Sequence, residues 1–313
     1  MKILIELPTW LGDCIMATPA ITNICQHFPK SRITFIGSRT SIEVLDNFPN
    51  MENTLVLSKK LYEDVSRIRQ LGNFDYYFSF RSTFRSIFYK FFCKSKNKFI
   101  YNPKTLKRFK HQVEKYNAFV NFSIQTSYPP GKLYLPSIAT RGTEKNKKII
   151  GLNPGAKYGS AKRWDILNFQ QLMDLLPLDF TVHIFGSEEE KIIAESIYKY
   201  AQKRSLRCKN FAGRTSISEL KSLISELACF VTSDSGPMHI AAALEVPTVA
   251  IFGPTNLNET SPWKNKNGLL LRLNLECQPC MRRTCPLGHN KCMVEIKPEM
   301  VYEAISKLLT VKE

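Results

Sequence analysis

Residues 232–240 read Thr-Ser-Asp-Ser-Gly-Pro-Met-His-Ile, between an apolar run at 227–231 and a helix-like run at 240–244. The pattern predicts a strand, a tight turn at Asp234-Ser235-Gly236 and a helix opening at Pro237. Backbone N–H groups and the positive end of a helix dipole meet at such a turn. Asp234 would stand beside them as an acceptor, with Met238 and His239 in the first helical turn. His239 could be a core histidine, but its place in the first turn after an anion-binding turn favours a ligand role. An anion-binding turn next to a carboxylate suits a ligand with phosphates at one end and hydroxyls at the other, such as a nucleotide-sugar.

Three other strand-to-helix turns carry reactive residues. The first is Pro8-Thr9-Trp10-Leu11-Gly12-Asp13. Gly12 there permits an unusual backbone angle, and Asp13 reads either as a helix N-cap or as a general base. The second runs from Asn153-Pro154-Gly155 to Lys162-Arg163-Trp164. It offers Gly155 and Gly159 for close backbone approach, and Lys157, Lys162 and Arg163 as cations, a composition that can cradle phosphate. It lacks the Gly-x-x-x-x-Gly-Lys-Ser/Thr pattern of a P-loop. The third, Phe185-Gly186-Ser187-Glu188-Glu189-Glu190, places acids where a helix dipole favours them. That placement accounts for most of them, and one could still meet a ribose or base. Phe252-Gly253-Pro254-Thr255 ends a further strand and would line the same site.

The elements that must position these turns follow from periodicity. Strands are expected at 2–7, 32–37, 54–57, 76–80 and 98–100, alternating with helices at 15–28, 41–48, 62–71 and 84–92. A Pro/Gly/Lys-rich stretch from Pro129 to Lys148 reads as a linker. The alternation then restarts, with strands at 148–153, 181–185, 208–211, 229–232 and 248–252. Helices fall at 166–175, 188–203, 217–227, 237–244 and 298–309. This is an α/β chain of two doubly wound, parallel-sheet domains, 1–145 and 146–313, expected to face each other across a cleft. The closing helix could return to the first domain.

The composition narrows the partners. The net charge is +17 over 313 residues, which favours polyanions or phosphorylated substrates. From Phe80 to Tyr116 there are 11 Lys or Arg against one acid, Glu114, with ten aromatics interleaved. Such a segment reads either as core aromatics beside a solvated basic face, or as a surface for an anionic glycolipid or membrane. No nucleic-acid module is recognised. Gly-x-Gly-x-x-Gly is absent from both domain openings, which disfavours a dinucleotide enzyme. No run of 18 apolar residues exists, and a strand-like run directly after Met1-Lys2 leaves no room for a signal peptide, so a cytoplasmic location is expected. Of nine cysteines, Cys277, Cys280, Cys285 and Cys292 cluster. Their spacing resembles a structural zinc or cluster site. Four thiolates would fill the coordination shell, which argues against a catalytic metal.

Taken in order, Trp10-Leu11-Gly12-Asp13 with Ala17-Thr18-Pro19-Ala20, then 153–164, 233–244 and 252–255, resemble glycosyltransferase family 9 across nearly the whole chain. The Cys277–Pro286 stretch also looks like that group. The resemblance implies a GT-B architecture, two Rossmann-like domains with the donor held mainly by the second. It implies inverting transfer of L-glycero-D-manno-heptose from ADP-heptose, without a catalytic metal or other cofactor. The implied acceptor is the first heptose of the lipopolysaccharide inner core, or Kdo-lipid A for a sibling enzyme. Asp13 matches the proposed base and Lys162 the lysine on the donor phosphates. Asp234 matches the acid on the heptose hydroxyls, and Ser235, Gly236 and His239 the phosphate turn. Gly155, Lys157, Tyr158, Glu188 and Met238 complete the expected donor set, although some relatives carry hydroxyl residues where Lys157 and Tyr158 stand. Trp10, Gly12, Arg81 and Arg85 are expected on the acceptor side. A peripheral location on the cytoplasmic face of a Gram-negative inner membrane would follow. A non-enzymatic basic binding module is the reading from a different class.

Overall fold

The computed structural model describes residues 1–58, 60–136 and 148–310. The chain divides into two compact units, 1–137 and 138–313. The expected boundary at 145 lies outside the described residues.

In the first unit the elements are β1 (Lys2–Glu6), α1 (Leu11–His27), β2 (Arg32–Gly37), α2 (Arg39–Val44), β3 (Met51–Val56), α3 (Leu61–Gln70), β4 (Asn73–Ser79), α4 (Phe84–Phe92), β5 (Lys94–Ile100) and α5 (Gln112–Ile124). The sheet is parallel throughout, in the order β3-β2-β1-β4-β5. Parallel strands covered by helices on both faces read as continuous apolar runs, and Ile3, Leu4 and Ile5 of β1 are fully buried. The order reverses beside β1, where β2 lies on one side and β4 on the other. The loop leaving β1 therefore opens at a topological switch point, where ligands bind in such sheets.

The second unit repeats the plan. It contains β6 (Ile149–Asn153), α6 (Ile166–Leu175), β7 (Thr181–Ile184), α7 (Lys191–Lys203), β8 (Arg207–Asn210), α8 (Ile217–Ser225), β9 (Cys229–Ser233), α9 (Gly236–Ala243), β10 (Thr248–Phe252), α10 (Leu257–Thr260), β11 (Gly268–Arg272), α11 (Lys291–Val294) and α12 (Pro298–Thr310). Its strands are parallel in the order β11-β10-β9-β6-β7-β8. The reversal here falls between β6 and β9, so the 153–163 loop and the 233–236 turn leave the sheet side by side. The closing helix α12 buries Val301, Ala304 and Ile305 in the core of this same unit, against α6 and the β9–β11 strands.

Four elements were not expected from periodicity: α5, β11 and the single-turn helices α10 and α11. In α5, His111 and Glu114 form a capping box, with Glu114 Oε2 accepting the His111 N–H at 3.0 Å. Its apolar face is interrupted by Asn117 and Asn121, which blurs the helical period. Those amides are used: Asn117 Oδ1 accepts from Asn23 of α1 at 2.7 Å, and both Nδ2 groups donate to the Tyr128 carbonyl. Strand β11 is only half-buried at the sheet edge, so it lacks the burial that makes an interior strand legible.

The basic, aromatic 80–116 segment divides between the two readings given for it. Phe80, Tyr89, Tyr101 and Tyr116 are core, whereas Phe84 and Phe91 are 69% and 78% exposed. Among the described residues, no helix is long and apolar enough to cross a membrane.

Candidate active site

In the second unit, β9 delivers Asp234 at its carboxyl end, and α9 begins two residues later. The N-cap of α9 is Ser235, in an extended conformation and without a side-chain capping bond. No acid follows in the first turn. The positive end of the helix is therefore left for an anion from elsewhere. Gly236 and Pro237 open the helix, Pro at a position where its missing N–H costs nothing. Met238 and His239 are buried.

Asp234 does not stand alone. Lys162 Nζ donates to Asp234 Oδ2 at 2.7 Å and to the Asp234 carbonyl at 3.0 Å, and both residues are buried. Lys162 reaches this position from a short 3-10 turn, residues 160–162, in the loop after β6. Its ammonium also sits 4.5 Å from the Tyr158 ring centroid, a cation–π contact. Asn153, at the end of β6, ties the two loops together: its Nδ2 donates to Gly155 O, Thr232 Oγ1 and Ser235 Oγ at 3.2–3.3 Å. The outcome is a fixed ammonium and a fixed carboxylate beside a helix N-terminus. Such groups can meet a diphosphate and sugar hydroxyls without reorganising. Lys157, in contrast, is exposed.

Neither Gly155 nor Gly159 sits in the left-handed region; both are required by close neighbours. A Cβ on Gly155 would overlap the Glu190 carboxyl group, and one on Gly159 would overlap the Arg283 backbone. Glu190 is the buried acid of the 188–190 trio, and its Oε2 accepts the Ser187 N–H at 2.7 Å. Glu188 is exposed and pairs with Lys191 at 2.6 Å. The acid packed against the 153–163 loop is thus Glu190, which a row of three glutamates cannot single out. Gly155→Ala should cost about 1–3 kcal/mol, because Glu190 must leave its capping position. Urea denaturation reads this directly; a loss below about 0.5 kcal/mol would mean Glu190 relocates without penalty.

In the first unit, Asp13 is not the N-cap of α1, which begins at Leu11 with Trp10 in the capping position. Asp13 is the third helical residue, half-buried in the first turn. Gly12 is helical too, so the unusual backbone angle expected for it is not used; the helix simply starts four residues earlier than the apolar period suggests. Trp10 is half exposed. Behind them, Pro19 inside α1 cannot donate to the Ile15 carbonyl, and the Thr18 hydroxyl takes that carbonyl at 2.6 Å. Thr18 Oγ1 also accepts the Tyr134 N–H at 2.9 Å. The Ala-Thr-Pro-Ala stretch therefore fixes the helix that carries Asp13. The field of Asp13 is felt locally: burial first, then this carboxylate, pushes the Tyr116 hydroxyl of α5 well above its usual pKa.

Both predicted acceptor-side arginines lean on buried acids. Arg81 lies 3.5 Å from Glu6, whose carboxylate also accepts from Tyr77, Ser79 and Ser86 at 2.6–3.0 Å. Arg85 donates to Asp64 at 2.6 Å and to the Ser58 carbonyl at 2.9 Å. Neither buried acid stood out in the sequence: Glu6 is a single acid at the end of β1, and Asp64 shares the first turn of α3 with Glu63, where acids are ordinary.

The four clustered cysteines line one cavity together with Ala161 and Pro254. Burial first, then the charges of the other three, pushes the Cys292 thiol up to about 11. Among the described residues, no three His, Cys, Asp or Glu side chains close into a metal-holding group.

Comparison with known proteins agrees with this geometry. The model of Glycosyltransferase family 9 (heptosyltransferase) matches residues 92–291. A lipooligosaccharide heptosyltransferase 2 of Campylobacter jejuni is 40% identical over 320 residues, covering 99% of this chain and 100% of the relative. One from Haemophilus ducreyi is 27% identical, with 99% of each chain covered. Among solved structures, that of Escherichia coli ADP-heptose LPS heptosyltransferase II superposes with a TM-score of 0.84 at 22% identity, covering 100% of this chain and 99% of the other. Two parallel-sheet units with the GT-B plan, and a profile match over most of the second unit and the end of the first, make the assignment: the chain belongs to glycosyltransferase family 9.

Proposed function

We propose that this glycosyltransferase moves L-glycero-D-manno-heptose from ADP-heptose to the first inner-core heptose of lipopolysaccharide or lipooligosaccharide, with inversion. The observation that carries the reading is the buried Lys162–Asp234 pair beside the uncapped start of α9. The full-length relatives named heptosyltransferase 2 support the choice of donor and acceptor.

In this reading the diphosphate of the donor lies at the α9 N-terminus, against Lys162. A carboxylate has about four lone-pair sites, so Asp234 can keep Lys162 in place and still accept from heptose hydroxyls. Asp13 takes the proton of the acceptor hydroxyl. The hydroxyl oxygen forms its bond to the anomeric carbon as the bond to the phosphate oxygen breaks, and ADP leaves with that electron pair. Lys162 and the helix dipole stabilise the charge it gains.

Incubation with ADP-heptose and truncated acceptors carrying no heptose or one heptose tests this. The one-heptose acceptor should be extended. Extension of only the heptose-free Kdo-lipid A acceptor would replace the reading with that of the sibling enzyme, and no transfer to either would overturn it.

The acceptor is a membrane glycolipid, and α4 is suited to approach it on the cytoplasmic face of the inner membrane. Phe84, Ile87 and Phe91 are exposed at helical spacing, within a segment dense in Lys and Arg. Such a face combines apolar insertion with attraction to anionic lipid. Replacing Phe84 and Phe91 by serine should weaken binding to anionic vesicles by roughly tenfold or more, at about 1.5 kcal/mol per fully buried ring. Unchanged sedimentation with the vesicles would remove α4 from the docking face.

A further inference from the structure

The stretch from Leu273 to Asn290 joins β11 to α11 without any regular element. It is tied to two loops at the carboxyl edge of the second sheet. In the loop after β10, the Gly253 carbonyl accepts from Gln278 Nε2 and the Pro254 carbonyl accepts the Met281 N–H, both at 2.8 Å. In the loop after β6, the Tyr158 hydroxyl donates to the Met281 carbonyl at 2.8 Å, and the Ala161 N–H to the Arg283 carbonyl at 3.0 Å. Strand β9 lies between β10 and β6. The segment therefore spans two strand spacings of about 4.8 Å each. It runs past the end of β9, where Asp234 and the start of α9 stand.

Arg283 is where this path meets the loop that presents Lys162. A Cβ on Gly159 would overlap the Arg283 backbone, so glycine at 159 lets the two chains touch. The Arg283 guanidinium lies over the Tyr158 ring, 5.5 Å from its centroid, and Lys162 Nζ lies 4.5 Å from the same centroid. One ring thus carries two cations, each drawn to its electron-rich face. Their situations differ. Lys162 is buried and paired with Asp234 at 2.7 Å, which answers part of its charge. Arg283 is exposed and has no acidic partner among the described residues. A guanidinium leaning on a ring keeps its fork of N–H donors for a ligand, and phosphoryl oxygens match that fork.

Given the donor site proposed above, we infer that Arg283 supplies a second cation for the donor diphosphate, presented on the Tyr158 ring beside Lys162. A diphosphate carries more negative charge than one half-answered ammonium can meet, and Arg283 adds a full positive charge from the neighbouring segment. As the bond between the anomeric carbon and the phosphate oxygen breaks, charge builds on the departing ADP, and both cations stabilise it.

The test is calorimetric binding of ADP and of adenosine to the whole protein, unaltered and as Arg283→Ala. The variant should bind ADP ~10-fold more weakly, the scale of one charge-assisted contact, and adenosine equally well. Arg283→Lys should recover part of the loss, and Arg282→Ala, at the exposed neighbour, should show none. The tie to Ala161 uses the Arg283 backbone carbonyl, so the alanine variant keeps it and its thermal midpoint should stay in place. Unchanged ADP affinity in Arg283→Ala would overturn the inference. An equal loss for ADP and adenosine would overturn it too, since a disturbed loop weakens both. If the unaltered chain binds no ADP, the proposed function falls with it; ADP binding that ignores Arg283 removes this residue alone.

Discussion

Replacing Asp13 by asparagine should lower kcat by ~10²–10⁴-fold, the usual contribution of a positioned general base, and should leave the dissociation constant for ADP unchanged. Asparagine has nearly the same shape as aspartate but cannot accept the acceptor's proton. The structural cost of the change is small and separable. Asp13 is the third residue of α1 and does not cap it, so what the helix loses is an acid near its positive end, worth ~0.3–1 kcal/mol. Thermal denaturation should therefore move little while turnover collapses. The ADP measurement by calorimetry isolates the donor site proposed on the second unit. Near-normal turnover in the variant would remove Asp13 as the base.

The second large effect concerns Lys162. Lys162→Ala should lower kcat/KM by ~10²–10³-fold, comparable to the loss of one preorganised charge-stabilising group. It should also destabilise the free protein by about 3–5 kcal/mol, because Asp234 is left as a buried carboxylate without its cation. The two losses have different causes and separate in a second variant. Lys162→Met with Asp234→Asn removes both charges at similar volume, and replacing a buried pair by neutral groups is often neutral for stability. Urea denaturation should show stability returning in the double variant, while steady-state kinetics show catalysis still absent. Recovery of activity together with stability would mean that the pair is only a structural tie between β6 and β9.

Much of the fold was legible in the sequence because buried parallel strands and amphipathic helices impose strong local patterns. Strands β2 and β10 and helices α4 and α6 fall at the expected residues. The start of α1 was misplaced because full burial begins only at Cys14; the half-buried first turn belongs to the helix by backbone hydrogen bonding. Helix α5 was missed because Asn117 and Asn121 interrupt its apolar face, Asn117 buried by pairing with Asn23 of α1 and Asn121 tied to the Tyr128 carbonyl. Strand β11 was missed because an edge strand is defined by its neighbour.

The same division runs through the site. Residue type offered Asp13 as cap or base and Lys162 beside Lys157 and Arg163; the family resemblance then marked Asp13, Lys162 and Asp234 as the candidates. The tertiary structure alone decided their company. It set Lys162 on Asp234 across 72 residues of sequence, chose buried Glu190 over exposed Glu188 for the space beside Gly155, and gave Arg85 to Asp64. It also folded the cysteine segment against Tyr158. These are contacts between distant segments, fixed by the order of strands in the sheet and by competition for buried space. Sequence alone determined which groups could do chemistry, because that is a property of each side chain and its local turn. Only the packed chain decided which of them are held together, because burial and pairing depend on neighbours the local sequence does not contain.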